Sequence, residues 1–166
     1  MIELDEATAI AAFEDFFESE RRRLFRALCL MAGDPGEAEE LVQDAFLAVW
    51  ERWDRVRTMD DPQGYLYRSA MNRFLSGRRR LARAMRLFVR PVRSVDPYED
   101  ADLRDAILRA LGGLGERQRA AVVLTDYLGY SSPEAATLLG IEPTTVRSLA
   151  AEARAAMRRE LEPHDG

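Results

Sequence analysis

Near the start of the chain, the apolar residues Phe13, Phe17, Leu24, Leu28 and Met31 recur close to the helical period, which predicts a long helix from about Ala9 to Met31. Gly33-Asp34-Pro35-Gly36 breaks it. Asp34, Pro35 and Glu37 read as N-cap, first-turn proline and capping-box acid for a second helix reaching about Arg55. Ala38, Leu41, Val42, Ala45, Val49 and Trp53 line one side of that helix. Phe46 and Trp50 lie beside the stripe, placed either to extend the core or to meet a partner. Asp61-Pro62 repeats the cap-and-proline signature and opens a third helix, with Tyr67, Ala70, Met71, Phe74 and Leu75 on its apolar side.

Around Phe88 the periodicity fades. Arg90-Pro91 through Asp96-Pro97 reads as a linker whose charge changes from basic to acidic. Beyond it, Leu103, Ile107, Leu111 and Leu114 fall in phase on a fourth helix, and a fifth is predicted from about Glu116 to Leu128. Ser132-Pro133 starts a short helix, Gly140-Ile141 makes a tight turn, and Pro143 begins a last helix to about Leu161. Short helix, glycine turn and longer helix form the helix-turn-helix pattern, whose second helix enters the major groove of DNA. No β-alternation competes, so the expected class is all-α. The chain divides into residues 1–88, a linker at 89–101, and a helix-turn-helix domain at 102–162.

Charge sharpens this picture. The 166-residue chain carries a formal net charge of −5, yet between Pro62 and Val95 it has nine Arg and no Asp or Glu. A cationic stretch inside an acidic protein is a footprint for polyanions, and Tyr65, Tyr67 and Phe74 supply rings for stacking on bases. The seven carboxylates up to Glu20, with no Arg among them, suit a solvated face. Every cationic side chain is Arg. Cys29 stands alone in an apolar run and His164 lies near the C-terminus, so no disulfide, zinc cluster or nucleophile-base pair is expected. No apolar run approaches the roughly 18 residues that cross a bilayer. The acidic start is the wrong charge for a signal peptide, and a cytoplasmic protein without membrane insertion is expected.

The order of these parts resembles a bacterial RNA polymerase sigma factor of the extracytoplasmic function group, in the sigma-70 family, with only its second and fourth conserved regions. In the first half the resemblance rests on the run Glu40 to Trp50, on Tyr65-Leu66-Tyr67-Arg68, and on Asn72-Arg73 before Arg78-Arg79-Arg80. The second half supplies Leu111-Gly112-Gly113-Leu114, Gln118 to Leu124, Leu139-Gly140-Ile141 and Thr145-Val146-Arg147-Ser148. The resemblance implies a promoter-specificity subunit with no catalytic activity and no cofactor. It implies docking on core RNA polymerase, on the β′ clamp and β subunits, through Gln43, Asp44, Phe46 and Trp50.

It also implies that the minus-10 promoter element is read as separated strands. Asn72 would meet a flipped base, Tyr65, Tyr67, Arg68 and Arg73 would line the strand path, and Arg78, Arg79 and Arg80 would hold phosphates. At the minus-35 duplex the contacts implied are Thr144, Thr145, Arg147, Ser148 and Arg154. An anti-sigma factor would mask these faces. The chain departs from the family where Ala151-Glu152 replaces a large or basic pair, since glutamate beside phosphates is repulsive. That departure keeps a second reading open: a sigma-like protein that binds polymerase or an anti-sigma factor without reading DNA.

Overall fold

The computed structural model describes the backbone of residues 2–84 and 101–162 and the side chains of residues 5–77 and 105–162. Every regular element among the described residues is helical: α1 Ile2–Ala32, α2 Pro35–Trp50, α3 Trp53–Val56, α4 Pro62–Ala84, α5 Ala101–Gly112, α6 Glu116–Val122, α7 Ser132–Leu139 and α8 Pro143–Leu161. A π-helical turn, Val123–Tyr127, continues α6. The linker expected at 89–101 lies outside the described residues except for its last position, Ala101, which opens α5. No helix of the described residues is long and apolar enough to cross a membrane.

The chain falls into two compact units, one of Met1–Arg26 with Ala38–Arg86 and the other of Ala27–Glu37 with Leu87–Gly166. The starts of α2 and α4 follow the sequence signals. Asp34 Oδ1 accepts from Gly36 N at 2.8 Å and Glu37 N at 3.3 Å, and Asp61 Oδ1 accepts from Gly64 N at 2.8 Å. These bonds satisfy backbone donors that the first turn leaves without partners. Two boundaries differ from expectation. Helix α1 begins at Ile2 rather than near Ala9, with Asp5, Glu6, Glu14, Asp15 and Glu18 exposed, as suits a solvated acidic face.

Helix α2 ends at Trp50 instead of running to Arg55. Arg52 N bonds Val49 O at 3.1 Å, a tight last turn, and Arg52 leaves helical geometry at φ −126° and ψ 21° before α3 begins. The break frees Trp53 to join an aromatic cluster. Its ring centroid lies 5.3 Å from that of Phe13 and 5.4 Å from that of Phe16, and its Nε1 donates to Ala9 O at 2.8 Å. Phe46 enters the same cluster, 4.7 Å from Phe17 and edge-on to Phe13. Such edge-to-face contacts add to the area each ring buries. Below the cluster, Val49, Val56, Leu66, Tyr67, Ala70, Met71 and Phe74 are closed to solvent.

In the second unit α8 is the central element, packed by α5, α6 and α7. Its inner stripe is Val146, Ala150 and Ala153, with Leu149 and Met157 half-buried beside it. Helix α7 is opened by a complete capping box: Ser131 N donates to Glu134 Oε2 at 2.8 Å and Glu134 N to Ser131 Oγ at 3.3 Å. It closes at Gly140, in the left-handed region at φ 65°, where an L side chain is disfavoured. The helix expected from Glu116 to Leu128 is α-helical only to Val122. The π-helical turn then takes over, with Leu128 N bonded five residues back to Val123 O at 3.0 Å.

Candidate functional site

On α4 the buried residues Leu66, Tyr67, Ala70, Met71 and Phe74 form one wall. The opposite side carries Tyr65, Arg68 and Asn72 at spacings of three and four, so they share one face. Arg68 and Asn72 are exposed, while Tyr65 and Arg73 are half-buried at the margins. The stretch offers a base edge an amide that can both donate and accept, flanked by a cation and a ring. Tyr67 departs from the expected strand path. Its ring is fully buried, as is that of Phe74, so neither has a face on which a base can stack. Helical periodicity accounts for the difference, because both rings fall on the core side of α4. The side chains of Arg78, Arg79 and Arg80 lie outside the described residues.

Arg52 was not singled out by its sequence pattern, yet it stands beside this face. Its Nη1 donates to Tyr65 Oη at 3.3 Å and the residue is exposed. No local signal marks it, since the contact spans thirteen positions of sequence.

On α2 the outward stripe is Gln43, Leu47 and Trp50, with Asp44 next to it. Leu47 and Trp50 are 55% and 44% exposed, large apolar side chains left facing solvent on one helix. Leu47 was missed in the sequence pattern, although its position outside the apolar stripe of α2 is the signal that finds it. Phe46 is a correction. At 4% exposure it is a core ring between Phe13, Phe16 and Phe17, with no surface for a partner. Trp50 packs its inner edge on Phe13 at 4.8 Å and keeps its outer edge in solvent.

At the entrance of α8, Thr144, Arg147 and Ser148 are exposed and Thr145 is half-buried. Ser148 Oγ donates to Thr144 O at 3.2 Å, which leaves its oxygen able to accept. One turn and two turns further on, the pattern changes. Glu152 Oε2 accepts from Gln118 Nε2 at 3.0 Å. Arg154 grips Asp126 with two bonds, Nε to Oδ2 at 2.8 Å and Nη2 to Oδ1 at 3.1 Å. The Arg154 guanidinium holds the Asp126 carboxyl below the usual carboxylate range against the opposing effect of burial, with a lesser contribution from the Thr125 hydroxyl. Asp126 in turn raises Arg154 above its ordinary value. Arg154 therefore projects outward as its period requires but is already engaged.

No cluster of His, Cys, Asp or Glu that would suit a metal ion occurs among the described residues.

Residues 16–84 match the model of sigma-70 region 2, and residues 104–157 match that of sigma-70 region 4. The chain is 34% identical over 154 residues to the ECF RNA polymerase sigma factor SigM of Mycobacterium tuberculosis, a match covering 90% of this chain and 77% of that relative. It is 30% identical over 158 residues to the RNA polymerase sigma-E factor of Streptomyces avermitilis, covering 94% of this chain and 88% of the other. Among solved structures it is similar to the sigma factor RpoE of Bartonella quintana, co-crystallised with the anti-sigma factor NepR. The TM-score is 0.80 at 25% identity, over 92% of this chain and 98% of that one.

Proposed function

We propose that this chain, which belongs to the extracytoplasmic function group of RNA polymerase sigma factors in the sigma-70 family, docks on core polymerase by the outer stripe of α2 and reads promoter DNA with α4 and α8. As a sigma factor it is a transcription-initiation subunit, not an enzyme. The observation that carries the site assignment is the division of α4 into a buried wall and an outer face with Arg68 and Asn72 exposed and Tyr65 half-buried. Unpairing a base costs a few kcal/mol, and a polar contact that exists only for the extruded base offsets that cost. Asn72 supplies the contact, while Arg68 and Arg73 follow the strand backbone and Arg78, Arg79 and Arg80 extend the cationic track.

Gln43, Asp44, Leu47 and Trp50 form the polymerase face, an apolar centre with a polar rim. Thr144, Thr145, Arg147 and Ser148 meet the minus-35 duplex, where the fork of Arg147 suits a guanine edge. The protein acts in the cytoplasm on polymerase. An anti-sigma factor is a further partner, in keeping with the solved relatives bound to NepR and to the cytosolic domain of CnrY. We assign residues 1–88 to polymerase and minus-10 binding and 102–162 to minus-35 binding.

Chain and core enzyme together retain a promoter fragment in a salt-sensitive manner, and Asn72→Ala or Arg147→Ala lowers that retention at unchanged polymerase affinity. Equal retention by both variants overturns the site assignment. The second reading, a sigma-like protein that binds polymerase without reading DNA, draws on Glu152 and the engaged Arg154. It predicts association with core enzyme and no retention of any promoter fragment.

A further inference from the structure

Helix α8 holds Arg147, Ser148, Ala151 and Arg154 along its outer side, and seven residues of helix place Arg154 about 10 Å beyond Arg147. In a major-groove reader the first turns meet base edges, and a cation one or two turns later is placed for the phosphates beside the groove. Here that cation is taken. The π-helical turn after α6 carries Asp126 to the Arg154 guanidinium, and both nitrogens that face it are used. The Thr125 hydroxyl lies 2.8 Å from Asp126 Oδ1, the same oxygen that accepts from Arg154 Nη2. Two residues earlier, Glu152 is held by Gln118, whose amide oxygen also accepts from Gly115 N at 3.2 Å, so the amide has one orientation that serves both bonds.

We propose that Asp126 is a positioning residue that keeps Arg154 off the DNA phosphates, so that α8 reads its duplex through Arg147 and Ser148 with little backbone grip. The inference rests on the reading of α8 as the minus-35 helix. A guanidinium that carries its own carboxylate brings no net charge to the phosphates and releases no counterion from them. The pair is half exposed, with side chains at 48% and 42%, and exposed pairs add little to stability. Removing the carboxylate therefore frees the arginine at small cost to the fold. Asp126 exchanges affinity for selectivity: base contacts remain and the sequence-independent contact is withheld.

The test uses the full chain assembled with core polymerase and a promoter duplex that the wild-type holoenzyme selects from a random library. Asp126→Asn is expected to steepen the dependence of log K on log salt by about 0.9, one added phosphate contact. That is about 3.5-fold more affinity lost between about 50 and about 200 mM salt. Binding to duplexes with altered minus-35 sequence should rise with it. Arg154→Ala in the Asp126→Asn background should restore the wild-type slope, and Arg154→Ala alone should leave it unchanged.

The proposal is overturned if Arg154→Ala alone flattens the slope, because Arg154 then already touches phosphate. It is also overturned if folded Asp126→Asn protein keeps the wild-type slope. Should Asp126→Asn not fold, the single Arg154→Ala variant decides between the two outcomes. Arg147→Ala separates this inference from the reading beneath it: with no loss of retention in Arg147→Ala the minus-35 assignment fails, and with loss there but no effect of Asp126→Asn only the positioning role fails.

Discussion

Phe46 and Trp50 lie four residues apart on one helix, and the structure predicts opposite outcomes for removing them. Phe46 is 4% exposed and meets Phe17 at 4.7 Å, Phe16 at 6.2 Å and Phe13 at 6.3 Å. Truncating a ring enclosed in this way loses its transfer free energy and leaves a cavity that three neighbouring rings cannot collapse into, a cost of about 3–5 kcal/mol. In a domain of this size that lowers the melting temperature by at least about 12 °C. Trp50 is 44% exposed, with Phe13 at 4.8 Å against its inner edge. Its removal gives up one aromatic contact and part of a buried area, about 1–2 kcal/mol of stability.

At a polymerase interface, however, a half-exposed tryptophan is the type of anchor whose loss costs about 2 kcal/mol or more, roughly 30-fold in affinity. The assay pairs thermal melting by circular dichroism with titration of labelled chain against core polymerase, both well below the melting range of the weaker variant. Phe46→Ala should melt early and, while folded, bind polymerase nearly as the parent does. Trp50→Ala should show the smaller melting shift of the two and bind at least tenfold more weakly. Equal melting shifts, or full polymerase affinity in Trp50→Ala, would refute the division of α2 into a core side and a docking side.

Ser131→Ala removes the acceptor for Glu134 N and should cost the second unit about 0.5–2 kcal/mol, read from denaturant midpoints. Gly140→Ala should cost about 1–2 kcal/mol by the same measurement, since an added methyl meets no neighbour and the penalty is the φ of 65° alone. Both Asp126 and Glu134 have folded pKa values below their ordinary ones, Asp126 chiefly through Arg154 and Glu134 chiefly through the Ser131 backbone N–H. Their contributions to stability are therefore complete above the ordinary carboxylate range and are lost as pH falls below it through the lowered values. An acid titration of wild type against the Asp126→Asn, Glu134→Gln double variant should show the stability gap closing at low pH, and a gap that widens there would contradict the assignment.

Where local chemistry decides a feature, the chain declares it. Asp34 and Asp61 cap the helices their spacing marks, Gly140 makes the turn, and α8 begins at Pro143. Each of these depends on atoms within a few residues. Contacts made across the fold are a different matter. Phe46 and Trp50 look alike in a periodic pattern, and only Phe13, Phe16 and Phe17 of α1 decide which ring is enclosed. Tyr67 reads both as a ring for stacking and as a member of the apolar side of its helix, and packing in α4 decides for the core. The family resemblance implies that Arg154 meets DNA. Its partner Asp126 is 28 positions earlier, on a π-helical turn that no propensity signals. The break at Arg52, which turns Trp53 inward and brings Arg52 to Tyr65, is likewise set by packing between helices rather than by the residues at the break.

The central claim, that this chain gives core polymerase its promoter choice, is tested most directly by run-off transcription from fragmented genomic DNA of the source bacterium, with core enzyme in the presence and absence of the purified chain. Defined transcripts whose start sites share two upstream sequence blocks, produced only when the chain is added and lost with Asn72→Ala, are the predicted result. Start sites that are unchanged by adding the chain to core enzyme would contradict it.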